Sequence, residues 1–212
     1  MTIIWPCGLG VEEYAAAGKE VVVPRQCCPR CGLLTMFWSG YFRSVRSGAV
    51  FRIWVKRCRC CRCHSSDALL PSFCLVGRLD AVEVIGPALK AVSCGAGTRR
   101  VAAGIGELFA YTTLRGWWRR HQQRGAWLWS VLSAARAWCV GRCWGGSDAD
   151  ALEALESVGA AVAAVAGVGS WPAVSLVLGG AWLSTTTDTP TTAGVGGSLM
   201  TLMAGRDLQV PP

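Results

Sequence analysis

Histidine and acidic residues are scarce in this sequence, which limits the chemistry that it can perform. The chain has 2 histidines and 13 Asp and Glu residues among its 212 residues. Neither His64 nor His121 stands beside an obvious Ser or Cys nucleophile, and the acids crowd together only over residues 148–156, where a helix start explains them. A transposase would need a carboxylate cluster for two metal ions. We therefore predict a binding protein rather than an enzyme.

The sequence also lacks a recognisable secretory leader and a continuous membrane-spanning segment. Residues 1–14 have no basic region, and their apolar stretch is short. A run of 31 residues without charge, 157–187, is long enough to cross a bilayer. However, Gly167, Gly169 and Pro172 interrupt it. We expect a cytoplasmic protein in which this run forms two packed helices with a break near residues 171–172; membrane association is an alternative.

Negative charge is scarcest in the first part of the chain. Residues 1–125 contain 18 Lys and Arg but only 7 Asp and Glu, whereas residues 126–212 contain 3 and 6. The formal charge of +8 therefore arises from the first 125 residues. A basic region of this density indicates a polyanionic partner, and nucleic acid is the usual one.

Cysteine, in contrast, is abundant and clustered. Seven of the 12 cysteines lie in "CCPRCG" (27–32) and "KRCRCCRCH" (56–64). Disulfides are rare in a reducing cytoplasm, so metal binding is the first explanation for such clusters. A redox pair is less favoured, because thioredoxin-like motifs lie in a βαβ setting that this sequence lacks.

The two clusters contain cysteine pairs at the C-x-x-C spacing of zinc ligands. The first offers one pair and the second offers two overlapping pairs. One pair from each cluster would complete a tetrahedral site with no open position, which is typical of structural zinc. We predict one zinc ion bound by Cys28, Cys31, Cys60 and Cys63.

The choice of the second pair rests on the residue that precedes it. In zinc ribbons a basic residue at the end of a strand commonly precedes the second pair, and Arg59 precedes Cys60. Arg57 precedes Cys58 in the same way, so Cys58 and Cys61 stay open as the alternative pair. His64 is a further alternative for one of the cysteines.

The segment between the clusters predicts a β-hairpin. Residues 35–45 and 49–57 are rich in aromatic and β-branched residues, and Ser47-Gly48 supplies a turn. A hairpin whose ends carry two C-x-x-C turns is a zinc ribbon, which we assign to residues 1–77.

Residues 78–125 carry helical patterns. "RLDAVEVIGPALKAVSCG" has apolar residues at helical spacing although Pro87 weakens it, "TRRVAAGIG" begins at Thr98 as an N-cap, and "YTTLRGWWRRHQQR" (111–124) follows. Three helices of which the last is basic fit a helix-turn-helix. The turn is about two residues longer than the compact spacing, so we expect a looser variant. The overall prediction is an α+β protein.

The last of these helices divides into an apolar and a polar face. Leu114, Trp117 and Trp118 share the first. In a helix-turn-helix the start of this helix enters the major groove of DNA and later arginines meet phosphates. We therefore predict that the DNA-contacting residues are Thr112, Thr113, Arg115, Arg119 and Arg120, joined by Arg57, Arg59 and Arg62 of the zinc ribbon.

Several of these motifs together resemble a known family. "CCPRCG", "RCRCCRC" followed by "ALLPSF" (68–73), "RLDAVEVIG" and "YTTLRGWWRR" are similar to an uncharacterised actinobacterial family that combines a zinc ribbon with a helix-turn-helix, often described as transposase-like or as a domain of unknown function. The resemblance covers roughly residues 3–125 well and the remainder loosely. In similar proteins a histidine often stands where this chain has Asp67. The resemblance implies a mobile-element or regulatory setting.

The remaining residues predict an apolar helical region and a tail. We assign 126–183 to tryptophan-rich helices that fold onto the helix-turn-helix, and 184–212 to a flexible tail. The function predicted is a zinc-stabilised, sequence-specific DNA-binding protein that acts as a regulator or transposition accessory. The alternative is a zinc-ribbon interaction module whose Trp-rich region binds a transposase, forms homo-oligomers or associates with a membrane.

Overall fold

A computed structural model describes residues 2–107, 109–138 and 151–184, with only the backbone described for 133–138. The predicted α+β class is confirmed: these residues form a four-stranded sheet and seven α-helices. The predicted flexible tail lies outside the described residues, apart from Ser184.

The sheet consists of β1 (Thr2–Trp5), β2 (Thr35–Ser47), β3 (Ala49–Cys60) and β4 (Ser66–Pro71), in the order β1-β4-β3-β2. β1 runs parallel to β4, and the other neighbours are antiparallel. Helix α1 (Val11–Ala17) follows β1, and the carboxylate of Glu13 accepts a 2.9 Å hydrogen bond from the Gly10 N–H at its start. The sequence patterns did not predict β1, β4 or α1.

The predicted hairpin is confirmed. β2 and β3 pair from Thr35/Cys60 to Ser47/Ala49, with Gly48 alone between the last pair. Gly48 has a φ of 70°, a left-handed conformation that costs glycine little. The register shifts between Phe37 and Ser39, so Trp38 is the extra residue of a bulge.

The three predicted helices of the basic region are present. They are α2 (Val82–Ser93), α3 (Thr98–Ile105) and α4 (Tyr111–Gln123). α2 continues through Pro87, which is exposed to solvent. Gly106, with a φ of 127°, ends α3. The helices bury one continuous set of side chains that includes Leu89, Leu114 and Trp117.

The apolar region folds back onto these helices. It contains α5 (Gly125–Trp138), α6 (Ala151–Ala166) and α7 (Ser170–Val177). Leu128, Leu155 and Trp182 join the core of α2–α4, as predicted. The break in the uncharged run lies at residues 167–169, slightly before the predicted 171–172, because Gly167 adopts a φ of 67° and Pro172 is accommodated in the first turn of α7.

The sheet and the helices meet through a few shared residues. The second core, between the sheet and α1, includes Tyr14, Ile53, Phe73 and also Leu176 of α7. Ser175 of α7 donates a 2.8 Å hydrogen bond to the carbonyl of Cys74, after β4. Helix α7 therefore contributes to both cores.

No single helix among the described residues has the length and apolar character to cross a membrane; α6 and α7 meet that test only as a pair, which is bent by 97°.

Candidate metal centre

The first cysteine turn lies just before β2. The Cys28 N–H donates to the carbonyl of Leu33 (2.7 Å), and the Gly32 N–H donates to the carbonyl of Cys28 (2.9 Å). Gly32 has a φ of 74°, which lets the chain reverse directly after Cys31. The turn therefore brings the side chains of Cys28 and Cys31 to one side.

The second cysteine turn, after β3, repeats this geometry. The Cys60 N–H donates to the carbonyl of Ser65 (2.9 Å), and the His64 N–H donates to the carbonyl of Cys60 (3.1 Å). His64 occupies the place of Gly32 and has a φ of 55°, the one positive value at a non-glycine residue in the described chain. Two turns of equal length and bonding thus face each other.

The four predicted ligands lie together. The Sγ atoms of Cys28, Cys31, Cys60 and Cys63 all lie within 4.8 Å of one another. The Cys28–Cys63 and Cys31–Cys60 distances are 3.4 and 3.3 Å, and the Cys31–Cys63 distance is 4.0 Å. Zn–S bonds of about 2.3 Å in a tetrahedron require sulfurs about 3.8 Å apart. The cluster therefore has dimensions that could hold a metal ion.

The electrostatics of the cluster depend on the close approach of the sulfurs. Although burial opposes ionisation, hydrogen bonds from Ser65 and from the N–H groups of Arg30 and Cys31 lower the pKa of Cys28 to about 6. A hydrogen bond from the Leu33 backbone favours the Cys31 thiolate, but the neighbouring Cys60, Cys28 and Cys63 together raise the pKa of Cys31 to about 12. One thiolate thus forms readily, and four together require a bound cation.

The alternative cysteines lie outside the cluster. Cys58 is fully buried in β3 and is paired with Asp67 of β4. Burial raises the pKa of the Cys58 thiol. The hydrogen bond with Thr35 lowers this pKa, whereas the negative charge of Asp67 raises it further. Cys27 and Cys61 are exposed. His64 is exposed as well, and it does not belong to the cluster of potential ligands.

Ser65 belongs to the site although no sequence pattern indicated it. Its Oγ lies 3.4 Å from Sγ of Cys28 and 3.2 Å from Sγ of Cys63. A hydroxyl at this distance stabilises thiolate charge, and partners of this kind orient metal ligands. Its position could have indicated this role, since Ser65 stands two residues after Cys63, the last cysteine of the second cluster.

The predicted DNA-contacting residues of α4 differ in exposure. Thr112, Arg115 and Arg119 are exposed, whereas Thr113 and Arg120 are half-buried. Arg120 lies back along its own helix, where its guanidinium would be 3.2 Å from a Cβ added at Gly116. The opposite side of the helix is buried through Leu114, Trp117 and His121.

The predicted arginines of the ribbon also differ. Arg57 is half-buried and donates a 3.2 Å hydrogen bond to Oγ of Ser66. Arg59 is exposed and lies 5.2 Å from the centre of the Trp38 ring. Arg62 is exposed in the second cysteine turn. Arg59 and Arg62 are therefore open to a partner, while Arg57 is committed to the sheet.

The chain matches no protein-family model, and it shows no significant similarity to a curated protein or to a solved structure. The family resemblance of its motifs therefore stays a prediction.

Proposed function

We propose that the protein is a zinc-stabilised, sequence-specific DNA-binding protein. The observation that carries this proposal is the two-sided helix α4. Leu114 and Trp117 fasten one side to the core, while Thr112, Arg115 and Arg119 are exposed on the other. A helix held in this way can enter a major groove, where arginine recognises guanine and threonine contacts base edges.

The helices before α4 support this interpretation. α2, α3 and α4 follow one another and share one core. Five residues, 106–110, separate α3 from α4, which fits the looser helix-turn-helix that we propose. At the start of α4 the Arg99 guanidinium lies 5.1 Å from the centre of the Tyr111 ring. This contact links α3 to the end of α4 that would approach the bases.

Zinc is the metal that suits the cysteine cluster best. Soft thiolate ligands in a tetrahedral arrangement select zinc or iron–sulfur chemistry, and a single set of four sulfurs fits one zinc ion. The ion would neutralise thiolate charge and join the two ends of the β2–β3 hairpin. With four cysteine ligands it has no open position for water, so we propose a structural role.

Three acids of the described residues have structural partners, which accords with the non-catalytic protein that we propose. Asp80 forms an ion pair with Arg46 (2.6 Å), Glu156 forms one with Lys90, and Glu13 caps α1. We propose a cytoplasmic regulator or transposition accessory, in keeping with the family resemblance.

In the alternative interaction module, tryptophan side chains of the apolar region would be exposed and available to a partner. Trp182 is fully buried, and its ring stacks on Trp171 at 5.7 Å with an interplanar angle of 4°. Trp127 and Trp129 are half-buried against the same core. These four side chains stabilise the fold itself, which favours a structural role over a partner-binding role for them.

Selection of bound duplexes from a random pool, with zinc-loaded protein, tests the proposal. We expect enrichment of one short sequence, which chelation abolishes. Recovery of duplexes without any sequence preference would contradict sequence-specific binding. Recovery of none would contradict DNA binding through α4.

A further inference from the structure

The β2–β3 hairpin exposes a cluster of large apolar side chains. Trp38 is 62% exposed, Phe37 and Phe42 are each 45% exposed, and Tyr41 is 40% exposed. Scattered apolar residues on a surface need no explanation, but these four lie within six consecutive residues of the edge strand β2, with Tyr41 and Phe42 on opposite faces. Such a concentration at a sheet edge marks an interaction site. We call Phe37, Trp38, Tyr41 and Phe42 the hairpin aromatic surface.

Cations lie directly over three of these four rings. The distances from cation to ring centre are 4.5 Å for Arg52 over Phe42, 5.4 Å for Lys56 over Phe37 and 5.2 Å for Arg59 over Trp38. Each pair places a positive charge beside a flat apolar face. Such pairs match a nucleotide, which has a flat base and a negative phosphate.

Packing around the Trp54 side chain supports part of this surface. Phe42 and Trp54 are opposite each other across the hairpin, and their rings meet edge to face at 4.9 Å. The Trp54 ring lies against Gly40, where an added Cβ would be 2.4 Å from the indole. Lys19 covers the Trp54 ring at 4.8 Å. Phe42 thus packs against a supported Trp54 ring before any partner binds.

The charge of the hairpin narrows the choice of partner. Residues 35–60 contain six Lys and Arg and no Asp or Glu. A second copy of the same surface would place like charges face to face, which costs energy. An acidic polymer gains from the same charges. Because the exposed rings are flat and apolar, the polymer that suits this surface also carries flat apolar groups.

We propose that the hairpin aromatic surface binds single-stranded nucleic acid. Unpaired bases stack on Trp38 and Phe42, and phosphates meet the cations beside them. The bases of a duplex already stack on one another, so this surface prefers unpaired strands. The proposal goes beyond duplex recognition by α4, since it concerns the exposed rings of β2 and does not depend on that helix; only Arg59 is shared with the predicted duplex contacts.

Fluorescence anisotropy with labelled oligothymidylate, oligouridylate and duplex DNA, each about 12 nucleotides long, tests the proposal. We expect the zinc-loaded protein to bind either or both of the single strands more tightly than a duplex of random sequence. Trp38→Ala should weaken this binding roughly 5- to 150-fold. The two single strands differ in the 2′-hydroxyl and in the methyl group of thymine, so their comparison shows whether the surface prefers DNA or RNA strands.

Two further variants separate stacking from general apolar contact. Trp38→Phe keeps an aromatic face and should retain most of the affinity, whereas Trp38→Leu keeps an apolar side chain of moderate size without one and should lose it. Arg59→Ala should lower the slope of log affinity against log salt by about 0.7, the value for one phosphate contact on a single strand. Zinc content and circular dichroism confirm that each variant is folded.

The outcomes also distinguish this proposal from the function proposed above. Arg115→Ala should leave single-strand binding unchanged, because Arg115 lies on α4. Failure of both single strands to bind at low salt would overturn the proposal. Undiminished binding by Trp38→Leu would overturn base stacking, and dimerisation that Trp38→Ala abolishes would assign the surface to a second copy instead. None of these results bears on duplex selection by α4.

Discussion

At the scale of single residues, the left-handed backbone of His64 is the clearest local strain in the described chain. Its counterpart in the first turn is Gly32, at nearly the same φ. A side chain with a Cβ costs about 1 kcal/mol or more in this region. The strained His64 backbone therefore makes the second turn less stable than it would be with glycine at this position.

Replacement of His64 by glycine should relieve this strain. We expect His64→Gly to stabilise the zinc-loaded protein by about 0.5–1 kcal/mol, partly offset by the greater freedom of glycine in the unfolded chain. The matched change Gly32→Ala should destabilise it by about 1 kcal/mol or more. Thermal unfolding at fixed free zinc measures both. Loss of zinc from His64→Gly would instead identify His64 as a ligand.

The choice of ligands is tested by two neighbouring cysteines. Cys60→Ser should abolish binding of one zinc per chain, because it removes a sulfur from the cluster. The exposed Cys61 is the matched control, and Cys61→Ser should retain the metal. Elemental analysis measures the ratio. A structural zinc contributes about 10–16 kcal/mol to folding in small peptides, so Cys60→Ser should also unfold the cysteine turns. Zinc retained by Cys60→Ser would contradict the assignment.

At the scale of elements, helices α6 and α7 approach each other closely at Gly159. A Cβ added there would lie 2.5 Å from the carbonyl oxygen of Ser170 and 2.7 Å from Cγ2 of Val174. Gly104, in α3, has no atom within 4 Å of such a Cβ. One glycine is thus required by packing, whereas the other is not.

Alanine at these two positions should have opposite effects. Gly159→Ala should destabilise the protein by about 1–2 kcal/mol, because overpacking exceeds the gain in helix propensity. Gly104→Ala should stabilise it by about 0.5–1 kcal/mol. Denaturant unfolding at fixed zinc gives both values. Equal shifts in the same direction would show that the α6–α7 contact can relax.

Helix α4 gives a test that separates base contacts from phosphate contacts. Arg115→Ala should reduce affinity only for the selected sequence, by about 1–3 kcal/mol. Arg119→Ala, a turn further on, should weaken all duplexes alike and lower the salt slope by about 0.9. Arg120→Ala should act in the same way but less strongly, since Arg120 is half-buried. Lys90→Ala is the control, because Lys90 is paired with Glu156. Unchanged binding by Arg115→Ala and Arg119→Ala would exclude α4 as the recognition helix.

At the scale of the whole molecule, the C-terminal helices complete the core of the basic region. Trp182 donates a 3.2 Å hydrogen bond to Nδ1 of His121 on α4, and Leu128 and Leu132 cover the same core. A chain truncated after residue 125 should therefore expose apolar surface and aggregate, as seen by light scattering. A monomeric and fully folded truncation would show that α2–α4 form a unit by themselves.

Local patterns in the sequence predicted the hairpin, the helices after the sheet and the cysteine turns, but not α1, because each of the predicted features depends on residues close together in the chain. The pairing of β1 with β4 was not predicted, since four residues carry no detectable periodicity and their partner lies more than 60 positions away. The exposure of the hairpin aromatics was not predicted either. Aromatic residues favour strands on either face, and only the packing decides which face is covered.

The dual role of α7 has a consequence for the order in which a newly made chain can fold. β2 and β3 lie next to each other in sequence, and their cysteine turns close a loop of only about 30 residues. The hairpin can therefore form, and could bind a metal ion, while later segments are still being synthesised. Helix α7 supplies Leu176 to one core and Val177 to the other, and it emerges more than 100 residues later. We therefore expect nascent chains to carry bound metal and two unfinished cores until α7 leaves the ribosome, which makes this interval the one in which chaperones matter most.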